Sequence, residues 1–312
     1  MDELIVISSP DSSTRLALAL SGQADLAKTM SEPEIVQAKG RGFQTHFTAA
    51  TTGLYVFFGG SNSPAHTLGT APWVPNPDDA VADANALKVR QAVAHAIDVD
   101  TMIEQLYGGR ANRLPTVYPG ASSPKFAPYA YDPDKSRQLL EEAGYDADYQ
   151  ITFPNIVSEG GRARSPEEVE AVDIYLRSVG MQTNVSNISG GTFYGDWNGP
   201  SGIDGHIVAF PFFGFAGAWL TMIQLMAFGF YSLHHDSTIA DYYGQLVASQ
   251  DIDQAAFNKT EEEAFKYIYD NYLVVPLYLI GATDVLAPDY IGWELPGYQS
   301  SSQRFDRIRF KP

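Results

Sequence analysis

At 312 residues, with 45% hydrophobic and 18% charged side chains, the chain has the composition of a globular protein long enough for two domains and a substantial core, not of a disordered segment. A formal charge of −17 without any Lys/Arg-rich run argues against a surface built for nucleic acid or an anionic membrane. Zero cysteines rule out disulfides, thiolate metal sites and a cysteine nucleophile, and are compatible with an oxidising compartment without proving one.

In chain order, MDELIVISSP has no basic region leading into an apolar stretch, so no signal peptide is expected within it. Residues 4–8 (LIVIS) are β-rich and predict a short strand; Asp11 or Ser12 then caps a helix that runs through Leu20 and stops near Ser21-Gly22. Ser31-Glu32-Pro33-Glu34 is a helix start, with proline in the first turn, for a helix reaching Gly40. Residues 43–50 and 53–58 alternate weakly and predict two strands. Residues 59–86, rich in Pro, Gly, Asn, Asp and Ala, have the composition of a linker or loop. Within them Trp73 either packs a lid onto the body or stacks on a ligand.

Residues 88–98 (KVRQAVAHAID) place Val89, Ala92, Val93, Ala96 and Ile97 on one helical stripe, with Arg90, Gln91 and His95 largely on the other faces. Asp98 can cap a second helix whose Met102, Ile103 and Leu106 face a core, and Gly108-Gly109 can take the left-handed conformation that ends it. Residues 110–130 then predict an extended surface segment. Asp132-Pro133-Asp134 starts a further helix with a buried stripe of Leu139, Leu140 and Ala143, ended by Gly144. A strand at 149–153, a helix from Ser165-Pro166-Glu167-Glu168 to Gly180 and a strand at 181–185 make a right-handed parallel βαβ unit. Its strand-to-helix loop carries Arg162 and Arg164, at the end of a parallel sheet where ligands collect and helix N-termini favour anions.

Residues 203–210 (IDGHIVAF) predict the next strand, followed by the aromatic, glycine-broken stretch PFFGFAGAW (211–219). Residues 207–233 carry no charge and are long enough by count to cross a bilayer, but Pro211, Gly214, Gly217 and Gly229 interrupt them and their aromatic residues do not sit in end belts. Two amphipathic helices (241–248 and 257–272) and a strand (274–279, VVPLYL) follow, then a tail.

VRQAVAHAID, YGGRA, a proline-rich loop and YDPDKSRQLLEEAGY (131–145) resemble, in order and spacing, the C-terminal lobe of the family 5 extracytoplasmic solute-binding proteins, the peptide-, nickel- and oligosaccharide-binding receptors of ABC importers. SGQAD (21–25), IDGHIVAF and the VVPLYL strand extend the resemblance over residues 4–282, with Asp25 carried as structural. The resemblance implies an α/β, periplasmic-binding-protein-like bilobed fold of the cluster C type. It places a partial first lobe at 1–65, a ligand-binding lobe at 66–282 and a tail returning to the first lobe at 283–312. By the same resemblance, the front of the first lobe and an additional small domain, present in the family, are expected to lie outside this sequence. It further implies a periplasmic or cell-surface location, a small solute such as a peptide or oligosaccharide as ligand, and the transmembrane subunits of an ABC permease as partner.

Neither HExxH, GxSxG, GxGxxG nor a phosphate-binding loop is present, and His234-His235-Asp236 fits a solvated turn better than a metal site, so no enzyme activity, metal or cofactor is expected. The competing class is a glycosidase-like hydrolase with an aromatic cleft and paired carboxylates. For a binding cleft, the candidate residues are Phe212, Phe213, Phe215 and Trp219, whose rings lie on backbone broken by Pro and Gly, together with Arg162 and Trp73. The rings could equally fill the core, and the arginines could be plain surface residues. Family members often pair an aspartate in the aromatic loop with a peptide's amino terminus. No acidic residue lies between Asp204 and Asp236 here, which disfavours an ordinary free-amine peptide unless another acid serves.

Overall fold

The computed structural model describes residues 3–9, 11–28, 30–60, 69–117, 126–157, 166–197, 202–213, 223, 237–293 and 305–312. Its organising feature is a pair of long antiparallel strands, β2 (Gln44–Phe58) and β7 (Val274–Leu286). They are the spine of a five-stranded sheet in the order β1-β7-β2-β6, where β1 is Leu26–Ala27 and β6 is Ile207–Phe213; β3 (Ala111–Arg113) also pairs with β7. The spine changes character midway. Thr48 pairs with Ala282 and Thr52 with Ile280, so residues 49–51 of β2 stand against the single residue 281 of β7. Such a bulge bends and twists a ladder locally.

A different core lies on either side of this waist. Beyond it, residues 44–48 and 282–286, joined by β1, pack with α1 (Ser12–Leu20) and α2 (Glu32–Gly40) around a small cluster of Leu16, Ala19, Ala27, Met30, Ile35, Ala38 and Val285. Before it, residues 52–58 and 274–280 run through a much larger core that includes Tyr55, Phe57, Phe58 and Tyr278, all buried. On that core lie α3 (Ala80–Ala96), α4 (Val99–Tyr107), α5 (Pro133–Glu142), α8 (Ser237–Ser249) and α9 (Gln254–Asp270). The same core takes in the unit made by β4 (Gln150–Val157), α6 (Pro166–Ser178), β5 (Gln182–Ser189) and α7 (Gly190–Trp197).

The caps explain the helix boundaries. The carboxylates of Asp11, Asp98 and Asp132 accept from the backbone N–H groups of Thr14, Thr101 and Lys135, and Gly108 ends α4 at φ 55°. At α2, the Glu34 carboxylate accepts from the Ser31 N–H at 2.7 Å, completing a capping box. β4 and β5 pair in parallel from Gln150↔Gln182 to Val157↔Ser189, as the βαβ reading requires.

Several expectations need correction. Residues 4–8 form no strand: their backbone has no ladder partner among the described residues, and Leu4, Ile5, Val6 and Ile7 are exposed, so β propensity without a neighbouring strand was not enough. The two strands expected at 43–58 are one, continuous through the bulge. The loop expected to reach residue 86 ends at Asp79, which caps α3 by accepting from Val81 and Ala82 N–H. Residues 110–130 are not simply a surface segment: they supply β3 and bury Leu114, Val117 and Tyr129. Residues 203–206 form a turn before β6, and the helix expected from residue 257 begins earlier, at Gln254. Arg90 and His95 are buried, not turned outward. Residues 207–213 are strand, which removes the start of the apolar run as a helical span, and among the described residues no helix is long and apolar enough to cross a membrane.

Candidate ligand cleft

The strand directions locate the site. β6 runs antiparallel to β2 from Ile207↔Phe58 to Phe213↔Thr52, so its carboxyl end arrives at the waist. β4 runs beside β6 in the same sense, through the parallel bridge Thr152↔His206 and the bond from Thr152 N–H to the Gly205 carbonyl at 3.0 Å. The carboxyl ends of β4, β5 and β6 and the amino end of α6 therefore share one edge, which faces the small unit across the waist. In open α/β sheets that edge is where ligands bind.

Behind the edge is a dense aromatic and polar floor. Phe210 is buried, stacks on Phe193 of α7 with centroids 6.2 Å apart, and meets Phe57 edge-on at 6.3 Å. The Tyr55 hydroxyl donates to the Val117 carbonyl at 3.2 Å. Glu168, in the first turn of α6 and 2% exposed, accepts from the Tyr278 hydroxyl at 2.8 Å and from the Tyr107 hydroxyl, tying α6, β7 and α4 together. Burial, reinforced by the Glu168 charge, holds both phenols far above their ordinary proton affinity, so they remain donors. At the strand ends Asn155, also buried, donates its amide to the Asn187 side-chain oxygen at 2.8 Å, and the Ser189 hydroxyl caps α7 by accepting from Thr192 N–H at 3.0 Å. Neither Glu168 nor the Asn155–Asn187 pair was singled out from sequence. β4 reads QITFPNIV, so a lone asparagine flanked by Phe153-Pro154 and Ile156-Val157 near its carboxyl end was the available signal for the latter.

Of the residues expected to touch ligand, Phe212 and Phe213 have their backbone at the waist end of β6, paired with Gly53 and Thr52. Their side chains, and Phe215, Trp219, Arg162, Arg164 and the His234-His235-Asp236 turn, lie outside the described residues. The segment carrying Arg162 leaves the carboxyl end of β4 and enters α6, and that carrying Phe215 and Trp219 leaves the end of β6, so both are rooted on this edge.

Trp73 is placed elsewhere. Its indole N–H donates to the Gly59 carbonyl at 2.7 Å, just past the opposite end of β2, roughly 20 Å from Thr52 at the usual strand rise. It is fully buried, packed against Phe58 and edge-on to Tyr149 at 5.8 Å. The Asp204 carboxylate fixes the approach to it by accepting from Thr70 N–H at 2.7 Å and Ala71 N–H at 3.2 Å, and Arg90 donates to the Trp73 carbonyl at 2.7 Å. Of the two roles open to it, packing is the one found; no ring face is left for a ligand. Among the described residues no group of three His, Cys, Asp or Glu side chains is arranged to hold a metal ion.

The family model described as bacterial extracellular solute-binding proteins, family 5 Middle, matches residues 1–201. A protein of Brucella ovis provisionally named as an ABC transporter peptide-binding protein is 55% identical over 65 residues, 19% of this chain and 12% of that one. Heme-binding protein A of Haemophilus influenzae is 25% identical over 201 residues, 59% of this chain and 31% of that one. Among solved structures, NikA from Brucella suis in complex with Fe(III)-EDTA superposes with a TM-score of 0.73 at 20% identity, covering 97% of this chain and 61% of that one, which establishes the bilobed periplasmic-binding-protein fold. The chain thus spans less than two thirds of each of these proteins. With the family model covering more than half its length and the fold agreeing from end to end, the chain belongs to the bacterial extracellular solute-binding proteins of family 5, whose members are binding proteins and not enzymes.

Proposed function

We propose that the chain forms one lobe, the waist and part of the other lobe of an extracytoplasmic receptor, which closes on a small solute and delivers it to an ABC permease. The convergence of β4, β5, β6 and the start of α6 on the edge facing the small unit carries this reading. The change of core within β2 and β7 supports a division into a partial first lobe, a ligand lobe and a returning tail. Binding would proceed by burial of the solute between the two units, without bond chemistry. Phe212, Phe213, Phe215, Trp219 and Arg162 are the proposed contacts, the rings stacking on apolar or sugar surface and the arginine pairing with a carboxylate or phosphate. A peptide or a solute of comparable size is the proposed ligand class, in keeping with the names of the relatives above.

Ligand-induced thermal stabilisation tests this. This chain, and a form carrying the additional portion found in its longer relatives, would be screened against peptides, oligosaccharides and metal chelates. A true ligand at 100-fold excess over its dissociation constant adds about 2.7 kcal/mol. Stabilisation that Trp219→Ala or Arg162→Gln weakens supports the reading. A screen without any stabilisation in either form, or turnover of a substrate, overturns it.

A further inference from the structure

An ion pair between described residues joins the two units. Glu32 opens α2 in the small unit, and Arg110 follows α4 in the large one; their side chains meet, each roughly two-fifths exposed. By contrast, the pairs Lys88–Glu142 at 3.3 Å and Arg113–Asp100 at 2.5 Å stay inside the large unit. Local structure aims both partners outward. Glu34, two positions on, is committed within its own unit to the Ser31 N–H and the Ser12 hydroxyl, both at 2.7 Å, which leaves Glu32 as the first-turn carboxylate turned to the neighbour. On the other side Gly108 and Gly109, at φ 55° and 75°, end α4 and turn the chain, so that Arg110 stands immediately before β3 at Ala111↔Ile280, beside the bulge.

We propose that Arg110–Glu32 is an electrostatic latch across the waist, biasing the two units toward the arrangement described here while the bulge at 48–52 supplies the bend. The proposal rests on the reading of the two units as lobes that close on a solute, but its test needs no solute. A half-exposed pair biases an equilibrium modestly, by about 1.5- to 5-fold at low ionic strength, and salt screens it. A latch of that strength sets a resting bias without locking the lobes, and ligand contacts easily exceed it.

The chain has no cysteine, so Val36→Cys on α2 and Ile174→Cys on α6, at sites 62% and 65% exposed, would carry the only spin labels. Distance distributions by double electron–electron resonance are then measured in low and high salt. The expected result is a low-salt population centred on the present spacing that loses about 1.5- to 5-fold in weight in high salt. Arg110→Glu loses the same weight at low salt, and the swap Glu32→Arg/Arg110→Glu regains it. A distribution indifferent to salt in the unsubstituted protein, or a swap that fails to restore it, overturns the latch whether or not solute binds. Salt-dependent redistribution, when neither this chain nor the longer form binds a solute, keeps the latch and overturns the receptor reading.

Discussion

The two halves of the long strands β2 and β7 are built in opposite ways. Below the waist they carry Tyr55, Phe57, Phe58 and Tyr278 into a core continued by Trp73, Phe153 and Phe193, large rings that are all buried. Above it the cluster under the helices has, among the described residues, seven buried members, three of them alanine, and nearby surface shows Leu4 to Ile7, Val36 and Phe47. At about 25 cal/mol per Å² of apolar area, rings dominate, so the large half holds itself together by burial. The small half relies more on directional bonds. Asp11 accepts from Thr14 N–H, Thr14 hydroxyl and Ser13 hydroxyl, bonds that hold its carboxyl down at about 2. Arg15 donates to the Ser9 and Lys28 carbonyls, and Gln44 donates to Tyr290 in the tail. On the face opposite the helices the fully buried Asp284 accepts from the Trp293 indole at 3.2 Å, and Trp293 stacks on Phe305. A densely cored unit and a more sparsely cored one, joined by a bent ribbon, fit the hinged binder proposed above.

The largest test of that contrast is Phe57→Ala, which should cost about 3–5 kcal/mol and unfold the large half cooperatively in denaturant titration. A cost under 1 kcal/mol would mean that half is not held by its rings. Ile35→Ala should cost about 2 kcal/mol, and amide exchange should rise in α1, α2 and β1 while β6 keeps its protection. Equal loosening of both halves would erase the distinction between them. Tyr278→Phe removes a buried donor from Glu168 and should cost about 1–3 kcal/mol, measured by the same titration. The retained ring makes that loss specific to the hydrogen bond.

The smallest effect is one of pH. Burial lowers the proton affinity of His95, the Ala130 carbonyl and Asp132 oppose this, and Lys135 adds to it; the Nε2 atom is buried with no hydrogen-bond partner. The unfolded chain therefore takes up the proton first as pH falls through about 6.5, and stability declines on acidification below that value. His46 in the small half is lowered by burial too. Calorimetry at pH 7.5 and pH 5.5 should show the decline, reduced in His95→Asn by the large half's share. An unchanged decline in that variant would assign it to other groups.

How much was legible follows from what each residue's neighbours demand. Asp98, Asp132 and Asp11 announced their helices because a cap is a local device, and Gly108-Gly109 announced a stop for the same reason. Asp79 was missed because α3 opens AVADANAL, with Val81 exposed and no apolar stripe until Val89. The glycines of GGTFYGDW concealed α7. Arg90 and His95 were assigned outward by periodicity, yet Arg90 donates to the Asn271 and Trp73 carbonyls and His95 bonds the Ala130 carbonyl, partners supplied by distant segments that no spacing rule contains. The site shows the same split. Strand order placed the loop of Arg162 and the aromatic stretch on one edge, a consequence of parallel topology, whereas the role of Trp73 depended on where a long connection returned.

Hydrogen exchange of the protein, in the form that responds in the thermal screen, with and without its ligand, tests the cleft assignment most directly. Protection should appear at 155–157, 187–192 and 211–213 and in the first turn of α6, with Tyr269 to Leu273 at the far end of the lobe unchanged. Protection at that far end, with the waist-facing edge unaffected, would contradict the account.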